Sequence, residues 1–183
     1  MTTTPRDRLL DAAGELFYRE GVGVGVDALC KAAGVSKRSM YLLFDSKDEL
    51  IAASLDRRAP GYDAALLPPD GGTPRERILH VFRAQDGLTG QPTYRGCPMV
   101  ATATELKDAT HPANAVARRH KQAMTDFFAA EARAAGAPDP DTLAAQLTVV
   151  FDGAAARAVV RAEPLAGLGV TTATALLDAA GIG

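Results

Sequence analysis

The chain opens on a helical rhythm. From Pro5 onward, Leu9, Leu10, Ala13, Leu16 and Phe17 recur at steps of three and four, the spacing of one helix face. Pro5 suits a first turn, where its missing N–H costs nothing, and Gly21 ends the run. Residues 22–26 alternate valine with glycine. Two glycines weaken a strand and no partner strand is evident, so a loop is expected there. A short helix is expected over 27–33, closed by Gly34. Ser36 reads as the N-cap of a third helix over 37–44. Asp45 and Ser46 interrupt the pattern. Ser46, with Glu49 three residues later, has the spacing of a capping box and opens a fourth helix to about Arg58.

Pro60, Gly61, Pro68, Pro69, Gly71 and Gly72 make 60–73 the clearest linker in the chain. The sequence therefore predicts a first domain over 1–58 and a second over 59–183. Within the second, Pro74 opens a helix carrying Ile78, Leu79 and Phe82, and a loop follows over 88–96. Residues 98–106 read as an apolar helix. Pro112 starts a long helix to about Ala135, with Val116, His120, Met124 and Phe127 on one stripe. Further helices are expected over 139–160 and 171–180. The fold class is all-α, with about nine helices and no internal repeat.

Composition supports that class. Of 183 residues, 47% are apolar and 23% charged, enough to bury a core. Alanine, the best helix former, is abundant, and aromatics make up only 5%. No apolar stretch approaches the roughly 18 charge-free residues of a membrane span. Arg6, Asp7, Arg8 and Asp11 precede any apolar run, so a signal peptide is not expected and the cytoplasm is the expected compartment. Cys30 and Cys97 cannot build a disulfide framework and are expected to be thiols. The net charge is −2, so a nucleic-acid footprint would have to be local.

Such a footprint lies in residues 27–50, DALCKAAGVSKRSMYLLFDSKDEL. The segment reads as helix, tight turn, helix. Ala28, Leu29 and Ala32 let two short helices cross closely, Gly34 permits a left-handed backbone, and Val35 plugs the angle. The second helix opens with Lys37, Arg38 and Ser39. In a helix-turn-helix these N-terminal positions reach base edges in the major groove. Arg38 suits guanine, and Lys37 the same edge or a phosphate. Ser39 and Tyr41 can donate to phosphates or bases, and Lys47 adds a cation at the start of the fourth helix. Between 36 and 47, Lys37, Arg38 and Lys47 face only Asp45. The candidate DNA-binding residues are Ser36, Lys37, Arg38, Ser39, Tyr41 and Lys47.

Gly21, Ala33-Gly34-Val35-Ser36, Tyr41, Phe44 and Ser46-Lys47-Asp48-Glu49-Leu50 resemble the N-terminal domain of the TetR family of bacterial transcriptional repressors, over about the first third of the chain. The resemblance implies a DNA-reading helix from Ser36 to Phe44, with Tyr41 and Lys47 on phosphates. It also implies a ligand-binding second domain and a homodimer built on the last two long helices. Arg95-Gly96-Cys97-Pro98-Met99 is similar to a subgroup with a Gly-Cys-Pro motif at the start of a regulatory-domain helix. The chain departs from the family at Val24 and Gly25, where hydroxyl residues are common. It departs again at Arg38, often glycine, and at Leu42 and Leu43, which replace aromatic residues or histidine.

A regulatory pocket is mostly apolar with a few polar groups. The candidates for it are Tyr94, Met99, His120, Met124, Phe127 and Phe128. No cofactor or metal site is expected. Cys97, His111 and His120 match no zinc spacing, and no catalytic motif is present, so an enzyme is not expected. The expected partners are double-stranded operator DNA, a small-molecule effector and a second copy of the chain, with no membrane. The expected function is a repressor released from a near-palindromic operator by its ligand. The alternatives are a thiol-based redox regulator using Cys97, or a helical small-molecule-binding protein or enzyme.

Overall fold

A computed structural model describes residues 3–183; the first two residues of the expected 1–58 domain lie outside them. Nine helices and no strand occur among the described residues: α1 (Pro5–Glu20), α2 (Val26–Ala33), α3 (Lys37–Leu43), α4 (Lys47–Leu66), α5 (Pro74–Thr89), α6 (Pro98–Leu106), α7 (Pro112–Ala134), α8 (Pro140–Arg161) and α9 (Leu168–Ala179). The all-α expectation holds.

Local chemistry sets most of the boundaries. Thr4 caps α1 and Thr73 caps α5, each in a reciprocal capping box, with Asp7 and Glu76 respectively. Asp139 caps α8 by accepting from the Thr142 amide. Gly34 ends α2 at φ 63°, its N–H on Lys31 O and the Val35 N–H on Cys30 O. This paired arrangement needs a left-handed residue at the turn.

Two boundaries differ from the sequence expectation. The fourth helix does not stop at Arg58; it continues through Pro60 and Gly61 to Leu66. The ring of Pro60 removes one helical hydrogen bond. Burial outweighs that loss, because Ala59 and Leu66 are both fully buried. The linker is therefore shorter than 60–73. The last helix begins at Leu168 rather than 171, because Gly167 takes φ 82° and its N–H donates to Asp86 Oδ1 at 2.9 Å.

The chain forms two compact units. The first comprises 3–61 together with 98–120; the second comprises 62–97 and 121–183. Contact therefore divides the chain differently from the 1–58 and 59–183 expected from breaker residues: α6 and the first part of α7 belong with the N-terminal helices. In the first unit, α1 packs on α2 and α3. Leu9, Ala13, Leu29, Met40 and Leu50 are fully buried there. The second unit has a continuous core from the end of α4 with α5, α7, α8 and α9, including Leu66, Ile78, Phe82, Phe128, Leu147, Phe151 and Leu177. Phe82 stacks on Phe128 and meets Phe151 edge-on.

Among the described helices α8 is long and apolar enough to cross a membrane. One side of it, including Leu143, Leu147 and Phe151, is buried in this core. The other exposes Val149, Val159 and Val160.

Candidate nucleic-acid interface

The seven residues of α3 divide cleanly. Met40, and Phe44 just beyond the helix, are buried beneath it. Lys37, Arg38, Tyr41 and Leu42 form its exposed side. Arg38 and Leu42, and Lys37 and Tyr41, are each four residues apart and so share ridges.

The candidate DNA-binding residues have distinct surroundings. Ser36 caps α3: its Oγ accepts from the Ser39 amide at 3.0 Å and lies 2.8 Å from Ser39 Oγ. Lys37 reaches back across the turn to Asp27, Nζ to Oδ1 3.3 Å, with both side chains largely exposed. Lys47 is half-buried; its Nζ donates to Val22 O at 2.6 Å and sits 6.0 Å from the Phe17 ring centre. The side chains of Arg38 and Tyr41 are exposed and make no hydrogen bond or ion pair with another described residue. Arg38 is thus the unpaired cation of this helix. Arg6 of α1 lies over the Phe44 ring at 4.5 Å.

Three features had no signal in the local sequence. Asp27 pairs with Lys37. Leu42 is 78% exposed. Glu105 of α6 accepts from the Val22 amide at 3.0 Å and the Gly23 amide at 3.3 Å, and so grips the α1–α2 turn. Gly21 makes that grip possible. It holds φ 90° and ψ 167°, and a Cβ there would stand 2.7 Å from Glu105 Oε1.

The ligand candidates fall in both units. Met99 and His120 belong to the first unit, and Tyr94, Met124, Phe127 and Phe128 to the second. Met99 is buried. His120 lies 3.2 Å from Asp56 Oδ1, which also accepts from Arg119 at 2.5 Å. Hydrogen bonds from His120 and then Arg119 hold the Asp56 carboxyl below its ordinary range. Met124 and Phe128 are core residues, with Phe127 packed against that core. Tyr94 does line a cavity of about 380 Å³ in the second unit, with Thr89, Gln91, Arg95, Val159 and Glu163. A hollow in the first unit, between Tyr18, Arg58 and Glu105, has about 30 Å³, room for roughly one water.

Both thiols are buried, Cys97 at 3% exposure and Cys30 at 5%. Burial, reinforced by Asp27, pushes the Cys30 thiol up and keeps it protonated. No cluster of metal-ligating side chains occurs among the described residues.

Comparison with known proteins converges on one class. The family model of bacterial regulatory proteins of the tetR family matches residues 9–54. An HTH-type transcriptional regulator of Mycobacterium tuberculosis is 37% identical over 81 residues, which span 43% of this chain and 40% of that protein. The HTH-type transcriptional repressor NemR of Escherichia coli is 32% identical over 108 residues, 56% of this chain and 54% of NemR. The chain thus aligns with about half the length of these curated relatives. Similarity to a solved structure runs further. A Streptomyces avermitilis protein described as a tetR-type transcriptional regulator is 56% identical, with a TM-score of 0.94 over 98% of this chain and 100% of that one.

Proposed function

The chain belongs to the TetR family of bacterial regulatory proteins, and on that premise we propose that it is a homodimeric repressor released from operator DNA by a small molecule. Its relatives are transcriptional regulators, not enzymes. The observation that carries the reading is the exposed side of α3. Arg38 and Tyr41 stand open there, while the residues behind them are buried or capped. Arg38 contacts a base edge. Ser36 and Ser39 fix the start of the helix, Lys37 and Tyr41 meet phosphate or base, and Lys47 braces the α1–α2 turn beside the phosphates. A DNA-bound regulator of this kind works in the cytoplasm.

The dimer forms through α8 and α9. Val149 and Val160 expose apolar surface on α8, and a Cβ at Gly153 between them would meet nothing within 4 Å. Apolar surface on a long helix favours a second helix against it. Two-fold symmetry then sets two α3 helices about 34–36 Å apart on a near-palindrome. Val149→Glu is expected to convert a dimer to monomer in sedimentation equilibrium; a wild-type monomer at micromolar concentration would sink the dimer.

An effector occupies the cavity beside Tyr94 and shifts the equilibrium away from the DNA-competent state. It can do so only by its difference in affinity for the two states. The α4 helix is the lever, since it leads directly from the reader. Glu105 supplies a second grip through the Val22 and Gly23 amides.

The decisive experiment is selection from random DNA followed by affinity measurement with Arg38→Ala. Wild type should enrich a near-palindrome. Arg38→Ala should lose about 1–3 kcal/mol per half-site and relax specificity at one base pair. Undiminished selectivity in that variant would remove Arg38 from the interface.

A further inference from the structure

The first unit exposes two large apolar or aromatic side chains among its described residues, Tyr41 and Leu42, and they are neighbours on α3. Tyr41 carries a hydroxyl for water or phosphate. Leu42 has none, yet it is 78% exposed. It does not hold the helix down, because Met40 and Phe44 do that from the opposite side. An exposed leucine alone is ordinary on a protein surface; what singles out Leu42 is its place beside Arg38 and Tyr41 on the exposed side of α3.

The neighbour on the same ridge indicates what the contact is. Leu42 follows Arg38 by one helical turn, about 6 Å along the axis. Base pairs are stacked about 3.4 Å apart. A helix laid in the major groove with Arg38 on a guanine therefore carries Leu42 one or two base pairs further on. The apolar group on the major-groove wall is the C5-methyl of thymine. Aliphatic carbon gains from covering it and gains nothing from the polar edges of guanine, adenine or cytosine.

We propose that Leu42 is a specificity-determining residue that packs on a thymine methyl one or two base pairs from the guanine read by Arg38. This rests on the DNA-binding reading above and deepens it, because it names the second base class in each half-site.

The test uses the full chain and the site selected from random DNA. Each thymine is replaced singly by deoxyuridine, which lacks only the methyl group. Affinity is read by fluorescence anisotropy with wild type, Leu42→Ala and Leu42→Gln. At one thymine per half-site the wild type should weaken about fourfold, the transfer value of one methyl group. Leu42→Ala should bind the thymine and deoxyuridine sites equally. Leu42→Gln should move the preference at that base pair toward adenine, which a glutamine amide can pair. Because Leu42 is exposed, both variants should keep the wild-type circular dichroism.

Wild-type indifference to every deoxyuridine would overturn the proposal while leaving sequence-specific DNA binding intact. So would a Leu42→Ala variant that still loses fourfold at the same position, or one that weakens on all sequences alike. A wild-type chain that enriches no sequence would overturn the repressor reading and this inference with it.

Discussion

Phe82→Ala is expected to cost roughly 3–5 kcal/mol of stability. Phe82 is fully buried in the middle of the second unit's core. Its ring stacks on Phe128 with centroids 5.7 Å apart and planes 12° from parallel. It meets Phe151 edge-on at 6.2 Å and 71°. Truncation therefore removes two aromatic pairs, each contributing about 0.5–1.5 kcal/mol beyond area, and opens a void between α5, α7 and α8. On the α9 side the void faces Gly169, which has no side chain to fill it; Phe82 Cδ1 lies 3.6 Å from where a Gly169 Cβ would be. Against a typical total of about 5–15 kcal/mol this is a large fraction. Urea unfolding followed by far-UV circular dichroism should show a lower midpoint with an unchanged slope. A loss below about 1.5 kcal/mol would mean that the core collapses around the gap, and that Phe82 is not its keystone.

Gly21→Ala should have the next largest effect, roughly 2–4 kcal/mol, through two causes that can be separated. At φ 90° and ψ 167° the residue occupies a region open essentially to glycine, and a side chain there is strained by about 1–3 kcal/mol. The added methyl also collides with the Glu105 carboxylate at 2.7 Å. Glu105 must then withdraw and surrender its bonds to the Val22 and Gly23 amides. A double-mutant cycle with Glu105→Ala divides these terms. In the Glu105→Ala background the alanine at 21 should cost only the strain, since the collision partner is gone. Full additivity of the two substitutions in thermal unfolding would show that the collision contributes nothing. Operator affinity should fall with Gly21→Ala as well. The turn that Glu105 grips also supplies the Val22 carbonyl that holds Lys47.

The helices were legible because their ends are written locally. Thr4, Ser36, Thr73 and Asp139 stand just before an apolar rhythm and cap it, and Gly21 and Gly34 stand just after one. The misread end of α4 shows the limit of local reading. Pro60 and Gly61 are strong breakers, but Ala59 and Leu66 are buried on either side of them, and tertiary burial decides. The cations that open α3 were legible too, from the helix-turn-helix pattern, unlike the exposure of Leu42. What each residue on it meets was not. Asp27 and Lys37 lie in different helices, and Glu105 reaches a turn 82 and 83 residues away. The surroundings of the ligand candidates were not legible, because an apolar stripe looks the same whether it lines a cavity or fills a core. Met124 and Phe128 fill one; Tyr94 alone of the six lines the larger cavity described above.

The ion pair between Lys37 and Asp27 bears on how the protein searches a genome. Affinity for arbitrary DNA comes almost wholly from cations that displace condensed counterions along the phosphates. Lys37 must exchange its carboxylate for a phosphate to take part, and doing so brings the negative Asp27 up to the duplex. Its net contribution to that uniform attraction is small. The base contacts proposed for Arg38 and Leu42 do not depend on that exchange, because base edges are read by shape and hydrogen bonding. On the DNA-binding reading proposed above, random sequence then gains less from Lys37, while discrimination between sequences is left to the base contacts. A small number of molecules, spread among millions of competing sites, then spends less time on each wrong one.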